Sequence, residues 1–305
     1  MPDKLRSDST YGIIDLMPDF WLFYAASNDL DVQEQARLFK TMVAEKHAEV
    51  YAAKVIWLDE TKPYDEAIMA RYIAWSERST TEQINIIKRM SDSIAKNMAE
   101  YEEKFRATFS DFSYSGQVYF MHSLMAFDGA VRTINGKSNL LFGLDTMALV
   151  YGEDMDLQPF FHHEIFHIYH AQFLEEDAND IAGALWMEGL AQYTAKCLNP
   201  NVDGVNLFGL PKDMPERSKA MLPILAGHLL EALESTSPDD YGRFFRGNTN
   251  DPLVPARSGY YVAYLVAQKL GQKYSLQEMA HFRLTVIKPE IQKVLEELAE
   301  GKKIE

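Results

Sequence analysis

The sequence predicts an α+β protein that is predominantly helical, and three features carry that expectation. Apolar residues recur at helical steps through the first third; short apolar runs and tight turns interrupt them between residues 117 and 152; helical texture then resumes to the end. With 305 residues, 47% of them hydrophobic and 12% aromatic, the chain has ample material for a core and looks nothing like collagen, a coiled-coil rod or a disordered tract.

The N-terminal helical part, 13–109, is clearest where Ile84, Ile87, Met90, Ile94, Met98, Tyr101 and Phe105 fall at steps of three and four, one apolar stripe on an amphipathic helix. Between 117 and 152 the runs VYFM, AVRTI, NLLFGL and MALVY are split by DG, NGKS and LD, which is the pattern of a small β-sheet with tight turns. Helices return over 156–198 and over a C-terminal helical part, 214–301. Proline and glycine punctuate them: NPNVDG at 199–204, PKDMP ending at Pro215, and a long loop from Ser237 to Pro255. No repeat and no flexible linker marks a boundary, so the expectation is one compact unit over 1–305.

The formal net charge of −15 disfavours nucleic acid or an anionic membrane as partner, since both need a basic footprint. The single cysteine, Cys197, excludes an intramolecular disulfide and reads as a small buried thiol. No apolar run approaches an integral membrane segment; the best, from Ala220 to Leu230, is short and contains Pro223 and His228. The first residues, MPDKLRSDSTYG, hold no hydrophobic signal region.

Residues 161–170, FHHEIFHIYH, gather His162, His163, His167 and His170 around Glu164. His163, Glu164 and His167 make HExxH. On a helix, positions i and i+4 lie one turn apart on one face, so two imidazoles can grip one Zn²⁺ while Glu164 flanks it as general base toward the bound water. A catalytic zinc wants three protein ligands and an open position. Histidine does not supply the third: a metzincin needs Gly at 170 and His at 173, and the chain has His170 and Phe173. His170 lies about 10 Å along the axis from His163, too far to share its ion, and reads as a supporting, pocket-lining or merely filling residue. Glu188, in LWMEGLAQYTAK, follows on a second helical stretch. A turn near EEDAND (175–180) would fold that helix back and bring Glu188 to the same ion, giving a His₂Glu set.

These residues resemble the gluzincin metallopeptidases, whose third ligand is a glutamate on the next helix. More narrowly, FDGAVRTINGKSNLLFGLDTMALVYG leading into FFHHEIFHIYH, with the later PARSGYYVAYLVAQKL, resembles a group of bacterial predicted zinc-dependent proteases, over roughly residues 117–271. The resemblance implies a zincin-like metallopeptidase fold with a small mixed sheet packed on the HExxH helix, one Zn²⁺ per chain held by His163, His167 and Glu188, Glu164 as base, and an exported bacterial protein. Several gluzincins carry an acidic residue four positions after the glutamate ligand to hold a ligand histidine; here Gln192 stands there, which can accept an N–H but supplies no charge.

Peptide hydrolysis builds an oxyanion, and an enzyme aims a donor at it. Tyr260 and Tyr264, one turn apart on an expected helix, and Arg257 just before them are the candidates, with Tyr261 as competitor; packing is the other reading of these tyrosines. His228, beside Leu229 and Leu230, reads as a packed core histidine. NLLFGLD (139–145) reads either as a sheet edge that pairs with an extended peptide, Gly143 allowing close approach, or as an interior strand with a bulge at Gly143. The expected function is zinc-dependent hydrolysis of a peptide or protein substrate, the acidic surface favouring basic peptides. Hydrolysis of another amide or ester, or metal or peptide binding without turnover on the same scaffold, are the alternatives.

Overall fold

Thr81–Thr108 turns the apolar stripe into a 28-residue helix: Ile87, Met90, Ile94, Met98, Tyr101 and Phe105 are buried along it, with Ile86 added and Ile84 only half-buried. The computed structural model describes residues 12–174, 178–247 and 251–302. By its contacts the chain divides into two compact units, Met1–Ala99 with Ser113–Met155, and Glu100–Phe112 with Asp156–Glu305. The division passes through the long helix, so no Gly, Pro or Ser-rich linker advertises it. The protein is predominantly helical, with a small mixed sheet, as its sequence leads one to expect.

The first unit opens with β1 (Gly12–Asp15), α1 (Met17–Ala26), α2 (Val32–Phe39), α3 (Tyr64–Ser76) and the start of α4 (Thr81–Thr108), then β2 (Gln117–Met121), β3 (Gly129–Ile134), β4 (Lys137–Gly143) and α5 (Leu144–Tyr151). The sheet order is β1-β2-β4-β3, parallel except for the β3–β4 hairpin. Asn135 and Gly136 turn that hairpin, both at positive φ (52° and 73°), the conformation a two-residue loop demands.

Three expectations need correction in this unit. GIID, read as helical, is an edge strand paired with β2. MALVY, read as a strand, lies in α5; Leu144, Met147, Ala148 and Tyr151 are buried at helical spacing, which the short apolar run concealed. NLLFGLD offers no free edge, because β4 is bonded to β2 on one side and β3 on the other. Nor is Gly143 a bulge: it keeps register with Met121, and a Cβ there would meet the Phe127 carbonyl at 2.0 Å and Ser123 Oγ at 2.4 Å. That neighbouring loop is held by the buried Asp145, which accepts from Ser123 N, Ser123 Oγ and Met125 N and so stabilises Leu124 and Met125 at positive φ.

The second unit takes the end of α4 and continues with α6 (Leu157–His170), α7 (Ile181–Leu198), α8 (Gly204–Phe208), α9 (Met214–Ala220), α10 (Leu222–Glu231), α11 (Pro238–Tyr241), α12 (Ser258–Leu270), α13 (Leu276–His281) and α14 (Leu284–Ala299). At its centre α7 packs on α6 and on α12. The 237–255 segment is less of a loop than expected: it holds α11 and a π-helical turn, Gly242–Arg246, with residues 248–250 outside the described ones. Among the described residues, no helix is long and apolar enough to cross a membrane.

Candidate metal centre

Two aspartates start the helices that build the site. Asp156 accepts from Gln158 N at 3.0 Å to cap α6, and Asp180 accepts from Gly183 N at 2.8 Å to cap α7; of the turn expected between them, residues 175–177 lie outside the described ones. α6 buries Leu157, Phe161, Ile165, Phe166, Ile168 and Tyr169, which leaves His163, Glu164 and His167 half-buried. From α7 comes Glu188, flanked by the fully buried Trp186 and Leu190. Gly189 permits the packing on its far side: a Cβ there would meet the Ala263 carbonyl of α12 at 2.3 Å.

His163, His167 and Glu188 form a group that could hold a metal ion, with their donor atoms all within 4.8 Å of one another. The two Nε2 atoms are 3.0 Å apart, and Glu188 Oε2 lies 3.5 Å from His163 Nε2 and 3.6 Å from His167 Nε2. Ligands about 2.0 to 2.1 Å from a tetrahedral ion stand roughly 3.3 Å from one another, so the three donors fit one small cation. The three groups also act on one another's ionisation. Burial opposes charging Glu188, yet the adjacent imidazoles of His167 and His163 hold its carboxyl well below the usual range. Burial likewise opposes charging His167, and the carboxylates of Glu188 and Glu164 raise it all the same.

No protein-family model matches the chain, and no curated protein or solved structure matches it either.

The other two histidines of the cluster are structural. His162 is fully buried; its Nδ1 accepts from Asn199 Nδ2 at 2.8 Å, so its proton sits on Nε2 and goes to the Tyr101 carbonyl at 3.0 Å. Burial pushes its pKa down to about 4. His170 is 1% exposed, packed between Phe166 and Trp186, and neither ring nitrogen has a hydrogen-bond partner; burial, with the charge of His167, pushes it down to about 3. Gln192 is buried with its Oε1 unpartnered, so that oxygen does not hold a ligand histidine.

α12 separates the candidate donors. Tyr260 is the one that shares the electrostatics of the metal group: burial raises its phenol far above the usual value, the negative charges of Glu188 and Glu164 push the same way, and Arg257 pulls back. Arg257 sets its guanidinium 4.6 Å from the Tyr260 ring centre. Tyr264 is not brought to the group; its ring meets Phe208 at 5.4 Å and Tyr193 at 6.2 Å in an apolar cluster. Tyr261 packs on Phe208 as well. His228 is no core residue: it is half-buried, and its Nδ1 accepts from Arg243 Nη2 at 3.1 Å. Cys197 is exposed, not buried as its type suggests.

Sequence reasoning passed over Tyr241, Phe245 and Arg246, all within the supposed loop. Burial and the charge of Glu188 raise the Tyr241 phenol, which Arg246 and Arg257 offset. A signal was available: Ser237, Pro238 and Asp239 spell a helix start, and Ser237 Oγ does accept from Asp239 N.

Proposed function

We propose that the protein is a zinc-dependent metallopeptidase of gluzincin type, hydrolysing peptide bonds. The convergence of His163, His167 and Glu188 at ligand distances, with Glu164 next to the first of them on α6, is the observation that supports it. A structural zinc site closes its fourth position with a protein ligand, whereas three donors beside a carboxylate suit a catalytic one. When bound, Zn²⁺ supplies Lewis acidity toward a carbonyl and lowers the pKa of water.

The chain's own residues do the rest. Glu164 takes the proton of the attacking water and hands it to the leaving nitrogen. Tyr260 keeps its proton, because burial and two nearby carboxylates oppose its loss, and its hydroxyl is a donor for the oxyanion. Tyr264, whose ring meets Phe208 and Tyr193 and whose phenol feels Cys197 and Tyr261 instead of Glu188 and Glu164, has no part in this scheme.

The test is metal content by elemental analysis together with cleavage of a mixed peptide library, on wild type and Glu164→Gln. One zinc per chain in both, with cleavage lost by at least about a hundredfold in the variant, is the expected result. Zinc without cleavage of any peptide overturns the peptidase, and no zinc in either protein overturns the metal.

A further inference from the structure

Beside the helix that carries Glu188, the second unit stacks cationic side chains on a row of aromatic rings. Tyr241 ends α11, which packs on α7, and the π-helical turn that follows packs on α12. Phe245 of that turn joins the two tyrosines: it stacks on Tyr241 at 5.2 Å and meets Tyr260 edge-on at 5.5 Å. A guanidinium lies at each end of the row, Arg246 at 5.2 Å from the Tyr241 ring centre and Arg257 at 4.6 Å from that of Tyr260. Such stacking fixes a guanidinium by its flat face and leaves its in-plane N–H groups for an acceptor.

Among the described residues, no carboxylate takes up these N–H groups. Arg243, on the same turn, is neutralised by Asp251 at 3.1 Å and bonded to His228. Arg246 and Arg257 have no carboxylate partner among the described residues, and the Nε of Arg257 is buried without a hydrogen-bond partner. The chain has 45 acidic residues against 30 basic ones, so carboxylates are not in short supply. A buried guanidinium N–H left open costs free energy unless something else satisfies it. The row also shares its electrostatics with the metal group: Tyr260 feels both Glu188 and Arg257, and so does Tyr241.

Resting on the peptidase reading, we propose that Arg257 receives a carboxylate of the substrate and that Arg246, at the other end of the row, adds to the attraction for it, so that the protein selects peptides presenting one, either at the C-terminus or on an Asp or Glu side chain. Arg257, half-buried and fixed at the left-handed start of α12 (φ 62°), is the orienting contact; Arg246, exposed, draws the anion in. This preference is the reverse of what the overall negative charge suggests, because two fixed charges at the site outweigh distant screened ones.

The experiment reads binding, not turnover. One neutral peptide is labelled with a fluorophore and made in four forms, with a free or amidated C-terminus and with or without one internal Glu, and its anisotropy is titrated with Glu164→Gln protein. A carboxylate-bearing form is expected to bind at least about tenfold more tightly than the neutral amide, with Arg246→Gln and Arg257→Gln each removing most of that margin and Arg257→Lys restoring part of it. Preference for the free acid identifies the C-terminal carboxylate; preference for the Glu peptide identifies the side chain. Equal affinity or no binding for all four forms, or a margin that survives both Arg→Gln variants, overturns the proposal. Arg246 is exposed, so its variant keeps the test decisive if Arg257→Gln does not fold. Cleavage without carboxylate preference defeats this inference alone, whereas carboxylate preference without cleavage defeats the peptidase and leaves the arginine site standing.

Discussion

His162 shows how a single residue in the cluster acts on stability instead of chemistry. It is a base whose folded pKa, about 4, lies below its ordinary value of 6.5. As pH falls the unfolded chain takes up the proton first, so stability is full above pH 6.5, declines between 6.5 and 4, and is level below that. The shift corresponds to about 3 kcal/mol. His170, pushed to about 3, acts in the same direction. The urea midpoint of chelator-treated protein should therefore drop between pH 7 and pH 4.5, and His162→Gln should flatten the drop; an unchanged slope would assign acid sensitivity to other groups. The HExxH spacing singles out His163 and His167 because ligation of one ion is a local, helical property. It does not disclose the fate of His162, since the partners Tyr101 and Asn199 stand 61 and 37 residues away in sequence.

Among the elements, the contact of α7 with α12 is the one that ties packing to the candidate chemistry. Gly189 adjoins Glu188 of the candidate metal group, and the Ala263 carbonyl occupies the space of its absent side chain. Gly189→Ala must push the helices apart, at a cost of about 1–3 kcal/mol, and should weaken metal affinity and peptide cleavage together; denaturant melts and a competitive zinc titration measure the two effects. A variant as stable and as tightly metallated as wild type would show that the helices can shift without disturbing the site. Long amphipathic helices and the Asn135-Gly136 hairpin were legible because their signals are strong and local. β1 and α5 were not: four residues of edge strand carry no period of their own, and a buried eight-residue helix imitates a buried strand. Tyr260 and Tyr264 sit one turn apart in the same helix, and only the neighbours of each, Phe245 and Arg257 for one, Phe208 and Tyr193 for the other, tell them apart.

At the scale of the whole chain, the three donors come from two helices consecutive in the sequence, so an ion bound there fastens α6 to α7 within the second unit. A ligand that binds only the folded state stabilises it by about 1.4 kcal/mol for each tenfold excess over its dissociation constant. Chelation should lower the melting temperature, added zinc should restore it, and a protein carrying both His163→Ala and His167→Ala should respond to neither; a melt indifferent to chelator in the wild type would mean that no ion contributes to the fold. The division of the chain left no trace in the sequence, because it runs through the interior of α4, where the apolar stripe continues without a break.

The exposed Cys197 gives this arrangement a use outside its chemistry. It is the sole thiol of the chain and rides on α7 nine positions beyond Glu188, about 13 Å along a rigid helical axis. A single probe attached there sits at a known offset from the three donors, so a paramagnetic ion, if held by them, would broaden or quench the probe by an amount fixed by that separation. The molecule thus contains its own spectroscopic ruler, one that reports where a cation resides before any substrate has been found.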